Sequence, residues 1–202
     1  MVSVPVDTRS PGSTAGSAPV STKIVVAGGF GVGKTTAVGS ISEIDPLRTE
    51  AAMTSASVGV DDTSGVDAKT TTTVAMDFGR LTVADGLVLY LFGTPGQDRF
   101  WFMWDELTRG AVGALVLIDT RRLADGFPAV DYFEQRDLPF LVGVNVFDPN
   151  HTPPLEEVRT ALALSDDVPL MLCDARNRES VRMLLIELTS HALKRAKAAR
   201  PG

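Results

Sequence analysis

The chain has 202 residues, 44% hydrophobic and 22% charged, a length that suits one domain with tails rather than two. A formal net charge of −6 argues against nucleic acid as the main ligand, because binding a phosphate polymer needs a basic footprint. One cysteine and two histidines exclude a disulfide framework and a Cys- or His-based metal site, and no apolar run reaches the roughly 18–20 residues of a membrane span.

Residues 1–21 are rich in Ser, Thr, Pro and Gly, without the apolar centre of a signal peptide, and read as a disordered leader. A domain over residues 22–198 and a short tail over 199–202 follow, and the protein is expected in the cytoplasm. Ile24–Ala27 is a first apolar run, with a helix from Gly33 or Lys34 towards Ile44, closed by Pro46. No element is evident between Asp45 and Thr73. Over residues 74–83, Val74, Met76, Phe78, Leu81 and Val83 mix with Ala75, Asp77 and Arg80, the looser alternation of an edge strand antiparallel to its neighbour. Leu87–Phe92, Ala114–Ile118, Phe140–Val146 and Val168–Leu172 are apolar at nearly every position, as strands covered on both faces are.

Helices fit between them, at about Arg99–Thr108 and Gly126–Arg136. Another follows Thr152 as N-cap, with Pro153 and Pro154 next and Glu156 and Glu157 in its first turn. The last helix starts at Asn177 and carries Val181, Leu184, Leu185, Leu188 and Ala192 at helical spacing. This alternation predicts an α/β fold with a six-stranded, mostly parallel sheet and helices on both faces.

Ile24–Ala27 leads into GGFGVGKTT, where Gly28, Gly33, Lys34 and Thr35 match G-x-x-x-x-G-K-[ST] between a strand and a helix. Glycines let the loop curl so that successive N–H groups face inward, and the helix N-terminus adds positive potential. The candidate phosphate contacts are Gly28, Phe30, Gly31, Val32, Gly33, Lys34, Thr35 and Thr36. Lys34 supplies charge for the outer phosphates and Thr35 a hydroxyl for Mg²⁺. The plain alternative is a glycine-rich turn that contains a lysine.

Four later segments occur in a fixed order after strands. Residues 70–79, TTTTVAMDFG, resemble switch I of Ras-like small GTPases, and GTPGQ at 93–97 resembles switch II. VNVFD at 144–148 carries N-x-x-D, and CDARN at 173–177 resembles the loop that follows the next strand in that family. The chain resembles a P-loop NTPase of the Ras-like class over residues 22–198, and is most similar to bacterial GTPases of the MglA-related group, including the actinobacterial conservon proteins, through GTPGQ and RFWFMW. The resemblance implies a GTP/GDP switch with Mg²⁺ and slow hydrolysis. It also implies as partners a roadblock-type regulator and a histidine-kinase-like sensor at the membrane.

Carried onto this sequence, the family roles make Asp148 the acceptor of two guanine donors and Asn145 a brace between base loop and phosphate loop. The Ala175 N–H would reach the guanine O6 and Arg176 would stack over the base. Thr73 would join Thr35 on Mg²⁺, Gly96 would lend an N–H to the γ-phosphate, and Gln97 would orient the attacking water beside Lys34. Two residues depart from the pattern. Val146 replaces a lysine that covers the base, and Gly93 replaces an aspartate that holds a Mg²⁺-bound water, so that either Asp77 substitutes from the neighbouring strand or Mg²⁺ binds more weakly. No arginine finger is identifiable, so a partner-supplied charge is one expectation and a non-hydrolysing nucleotide-binding adaptor is the alternative.

In RFWFMWDEL, Phe100, Met103, Trp104 and Leu107 form one buried stripe, with Trp101 and Phe102 left for the switch I segment or a partner. The basic tail around Lys194, Arg195, Lys197 and Arg200 either stays solvated or makes a weak contact with an anionic membrane.

Overall fold

Five parallel strands are built where the apolar runs predict them. The computed structural model describes residues 20–45, 47–54, 71–84, 86–96, 102–148, 150, 152 and 154–199, with backbone alone at 47–54 and 71–75. The strands are β1 (Val20–Ala27), β2 (Leu47–Thr54), β3 (Thr71–Ala84), β4 (Leu87–Gly93), β5 (Ala111–Ile118), β6 (Phe140–Asn145) and β7 (Leu170–Cys173). They form one sheet in the order β2-β3-β4-β1-β5-β6-β7. The strands from β4 to β7 in that order are parallel, and β3 and β2 extend the β4 edge as antiparallel partners.

Alternating residues on the central strands feed two separate cores. Ile24, Val26, Leu115 and Leu117 pack beneath α1 (Lys34–Ile41) and α5 (Arg178–Ala198). Val25, Ala27, Val116 and Ile118 face the side covered by α2 (Trp104–Thr108), α3 (Phe127–Gln135) and α4 (Leu155–Ala161). Near-continuous apolar strands and helices on both faces are thus one fact seen twice. Trp104 lies in the second core, edge-on to Tyr132 and stacked near Phe133, while Phe102 is exposed. On α5 the buried stripe is Val181, Leu184, Leu185, Leu188 and His191, with Ala192 half-buried beside it. Asn177 caps that helix by accepting from the Ser180 N–H at 3.0 Å.

Three expectations are corrected. The six expected strands are joined by a seventh, β2, which pairs antiparallel with β3 over eight residues inside the stretch where no element was evident. An edge strand of this kind is specified by backbone pairing with its neighbour and leaves no run of apolar residues to read. α1 ends at Ile41 rather than near Ile44, because Ser42 is extended and ties the chain to β3: its hydroxyl accepts from Arg80 N at 3.2 Å, and Glu43 N donates to Arg80 O at 2.8 Å. α4 begins at Leu155 with Pro154, not Thr152, at the N-cap position.

β1 starts two residues inside the expected leader; residues 1–19 and 200–202 lie outside the described ones. Of the segment expected as a helix from Arg99, residues 99–101 also lie outside, and the described helix starts at Trp104. Among the described residues no helix is long and apolar enough to cross a membrane. Parallel strands deliver β1, β5, β6 and β7 to one edge of the sheet, the edge where open α/β sheets bind ligands.

Candidate nucleotide-binding site

β1 ends in the loop Gly28–Gly33, and α1 begins directly at Lys34. At Gly33 the chain must turn with φ +107°, and it does so pressed against the neighbouring loops. A Cβ there would stand 2.8 Å from Asn145 Nδ2 and 3.2 Å from Ala175 Cβ. Only glycine fits both demands.

The Asn145 side chain fills the space so left. Its Nδ2 donates to Val32 O at 2.9 Å, and its Oδ1 accepts from Ala175 N at 3.0 Å, both bonds buried. Asn145 at the end of β6 thereby ties the phosphate loop to the loop after β7. The Ala175 N–H, expected to reach a guanine O6, is engaged by Asn145 instead. Arg176 is exposed and forked onto its neighbour Asp174, with Nε–Oδ1 at 2.8 Å and Nη2–Oδ2 at 2.9 Å, an arrangement that holds the Asp174 carboxyl below its ordinary pKa. Asp148 is exposed, and its Oδ1 accepts from Asn150 N at 2.9 Å and from Asn150 Nδ2 at 3.0 Å. Beside this loop the Arg121 guanidinium lies 3.9 Å from the centre of the Phe147 ring.

Lys34 is buried under the phosphate loop, and its Nζ donates to Gly28 O at 2.8 Å and to Gly29 O at 2.7 Å. Burial lowers its pKa to about 8, opposed by the Asp77 carboxylate. Gly96 rests on the same loop: a Cβ there would lie 2.6 Å from Lys34 Nζ and 2.9 Å from Phe30 Cα. Thr36 and Phe30 are exposed, whereas the Val32 side chain joins the core under α1.

Thr35 Oγ1 donates to Asp77 Oδ2 at 2.6 Å. Asp77 is paired across the sheet with Gly93, and a Cβ on Gly93 would meet Asp77 Cβ at 3.0 Å and Oδ2 at 3.1 Å. A carboxylate from β3 therefore occupies the space that a side chain at position 93 would need. Its convergence with the Thr35 hydroxyl makes a hard-oxygen donor pair that fits Mg²⁺ chemistry. Thr73 is placed only by its backbone, opposite Ala52 in the β2–β3 pairing, and Gln97 lies outside the described residues.

Two residues at this edge were not singled out from the sequence. Asp119, buried at the end of β5, accepts from Arg121 at N, Nε and Nη2, which depresses its pKa, and Arg122 donates Nη2 to Phe30 O at 2.7 Å. Only the adjacency of β1 and β5 in the sheet brings them to the phosphate loop. A groove of about 850 Å³ lined by Leu87, Leu89, Val112, Ala192 and Leu193 is apolar and does not include the phosphate loop.

Among solved structures the fold is similar to the FeoB G-domain from Methanococcus jannaschii, with a TM-score of 0.58 and 11% identity over 85% of this chain and 97% of that one. It is also similar to the G domain of the T. maritima FeoB iron transporter, with a TM-score of 0.59 and 16% identity over 86% and 99%. The apo cytosolic domain of the same transporter gives 0.60 and 15%, over 86% of this chain and 64% of that one. These likenesses show that the chain shares the fold of those G domains. In sequence, the uncharacterized protein MJ1339 of Methanocaldococcus jannaschii is 30% identical over 128 residues, 62% of this chain and 70% of that protein. A family profile described as "conserved hypothetical ATP binding protein" matches residues 26–195, and the chain belongs to that family.

Proposed function

We propose that the protein is a GTP-binding switch that hydrolyses GTP slowly with Mg²⁺. The observation that carries this reading is the Asn145 clamp, which joins phosphate loop and base loop within a G-domain fold. Lys34 and the amides of residues 28–36 hold the phosphates, and Thr35, Thr73 and Asp77 supply oxygen for the metal, which when bound neutralises charge on the phosphate oxygens. Gly96 reports the γ-phosphate and Gln97 positions water.

Guanine is chosen by Asp148. Its carboxylate is exposed beside Asn150, and guanine offers it the paired donors that adenine lacks. Protein partners read the region around residues 93–108, and a roadblock-type regulator and a histidine-kinase-like sensor remain the partners that the resemblance proposes. The protein works in the cytoplasm and reaches the membrane through them.

Competition between GTP and ATP for the purified protein tests the base assignment. GTP is expected to win, and Asp148→Asn to move the preference towards xanthine nucleotides. Preference for ATP, the nucleotide in the family's description, would overturn the guanine reading. A second reading, a non-hydrolysing adaptor, draws on Gly93. Single-turnover hydrolysis in wild type and Gln97→Ala separates the two, because equal inertness with candidate partners present favours the adaptor.

A further inference from the structure

Arg122 sits where the 3₁₀ segment Thr120–Gly126 breaks its own helical course, with φ −142° and ψ 54°. This local departure aims the side chain back across the sheet edge at the phosphate loop. The Arg122 Nη2 donates to Phe30 O at 2.7 Å. Two carboxylates flank the guanidinium, with Asp119 Oδ2 3.7 Å from Nε and Asp125 Oδ2 3.6 Å from Nη1. Asp119 is 4% exposed and accepts from Arg121 Nε and Nη2, which orients one side of this cradle.

The contact falls on a peptide that leads into a glycine. Phe30 is followed by Gly31, which has φ +71° and, being glycine, tolerates φ of either sign. The 30–31 peptide could therefore rotate with little backbone penalty. In a planar trans peptide the carbonyl of one residue and the N–H of the next point in opposite directions. Fixing the Phe30 carbonyl on the Arg122 side therefore turns the Gly31 N–H the other way, away from Arg122. The two preceding carbonyls, Gly28 and Gly29, are likewise taken up by a cation, Lys34.

We propose that Arg122 is a positioning residue of the phosphate site: by holding the Phe30 carbonyl outward, it aims the Gly31 N–H at the phosphate chain of a bound nucleoside di- or triphosphate. This inference rests on the nucleotide-binding reading above and adds a residue that the loop motif does not contain. The carbonyl-to-guanidinium bond is charge-assisted, and an arginine can make it without leaving Asp119 and Asp125. A lysine keeps one donor and the charge but not the fork.

The test compares wild type, Arg122→Lys and Arg122→Ala in the full chain, with Mg·GDP and Mg·ADP as probes. Three quantities are measured: equilibrium affinity, the melting temperature without nucleotide, and the ¹⁵N–¹H resonance of Gly31. In wild type the Gly31 amide proton should move downfield on binding, as a donor to phosphate does. Arg122→Ala should lose that shift and bind about tenfold more weakly, the effect expected for one hydrogen bond with a charged partner, while Arg122→Lys recovers part of both. The nucleotide-free melting temperature should change little. Unchanged affinity with the same Gly31 shift in Arg122→Ala would overturn the proposal alone. So would a loss of affinity matched by loss of nucleotide-free stability in both variants, because Arg122 would then be a structural residue. Failure of wild type to bind either nucleotide would overturn the nucleotide reading itself.

Discussion

Gly33→Ala probes the closest joint of the site. The added methyl would stand 2.8 Å from Asn145 Nδ2 and 3.2 Å from Ala175 Cβ, at a residue with φ +107° and ψ 16°. Alanine in a left-handed conformation costs about 1–2 kcal/mol. Asn145 cannot simply swing aside, because its amide donates to Val32 and its oxygen accepts from Ala175, both in buried surroundings. Either the chain overpacks or one of those bonds breaks, for about 1–3 kcal/mol more. The total is about 3 kcal/mol, which in a domain of this size lowers Tm by about 6–12 °C. Urea unfolding of the nucleotide-free protein measures it directly. A double-mutant cycle with Asn145→Ala locates the cause: if the clash is with Asn145, the double variant should be more stable than the sum of the singles by at least about 1 kcal/mol. A loss below about 1 kcal/mol for Gly33→Ala, or strict additivity in the cycle, would refute the packing assigned to this joint.

Asp77→Asn should raise the Mg²⁺ concentration needed for tight GTP binding by about tenfold while leaving binding in EDTA nearly unchanged, since a charge-assisted donor is lost at the metal alone; Mg²⁺ titration of nucleotide affinity checks this. Lys34 has its pKa lowered from 10.5 to about 8 without nucleotide, so between these values the unfolded chain carries a proton that the folded chain lacks. Stability in EDTA should therefore rise with pH across that window by up to about 3 kcal/mol relative to Lys34→Met, measured by denaturant unfolding at each pH. The buried Cys173 thiol is pushed up from 9.0 to about 12, mainly by desolvation, so it should resist alkylation at pH 8 until the protein unfolds, as mass spectrometry of iodoacetamide-treated samples can follow.

What was legible in the sequence is what is local. GGFGVGKTT directly after the run Ile24–Ala27 declares a strand, a turn and a helix, and the structure has β1, the loop and α1 in that order. The parallel strands were legible because burial on both faces leaves an unbroken apolar run. β2 was not, because its contribution is a ladder of backbone pairs with β3 from Leu47↔Phe78 to Thr54↔Thr71. Pairing of that kind constrains side chains weakly at an edge. Asn145 could be named from N-x-x-D, but its second bond, to the Ala175 N–H, depends on how β6 and β7 sit side by side. Arg122 carries no motif at all. Its contact spans 92 positions in sequence and exists because β1 and β5 are neighbours in the sheet.

The same logic explains how an acidic chain can present an anion site. The −6 is a sum over the whole chain, while the charges at the phosphate loop are chosen by topology. Lys34 is drawn under the loop by two carbonyls, and Arg122 is delivered to its rim by β5. Both cations donate to carbonyl oxygens of the loop, while Asp119 and Asp125 flank Arg122 and the Asp77 carboxylate acts on Lys34. A carbonyl carries only a partial charge, so it orients a cation without neutralising it, and the loop amides and helix N-terminus add positive potential of their own. Net charge governs attraction to extended polyanions over a Debye length of about 8–10 Å, whereas this site acts at hydrogen-bond range, where a handful of oriented groups outweighs the average. Asp77 fits the same pattern of placement by topology: β3 brings its carboxylate to the Thr35 hydroxyl, where the proposed metal would bind, rather than to the loop amides.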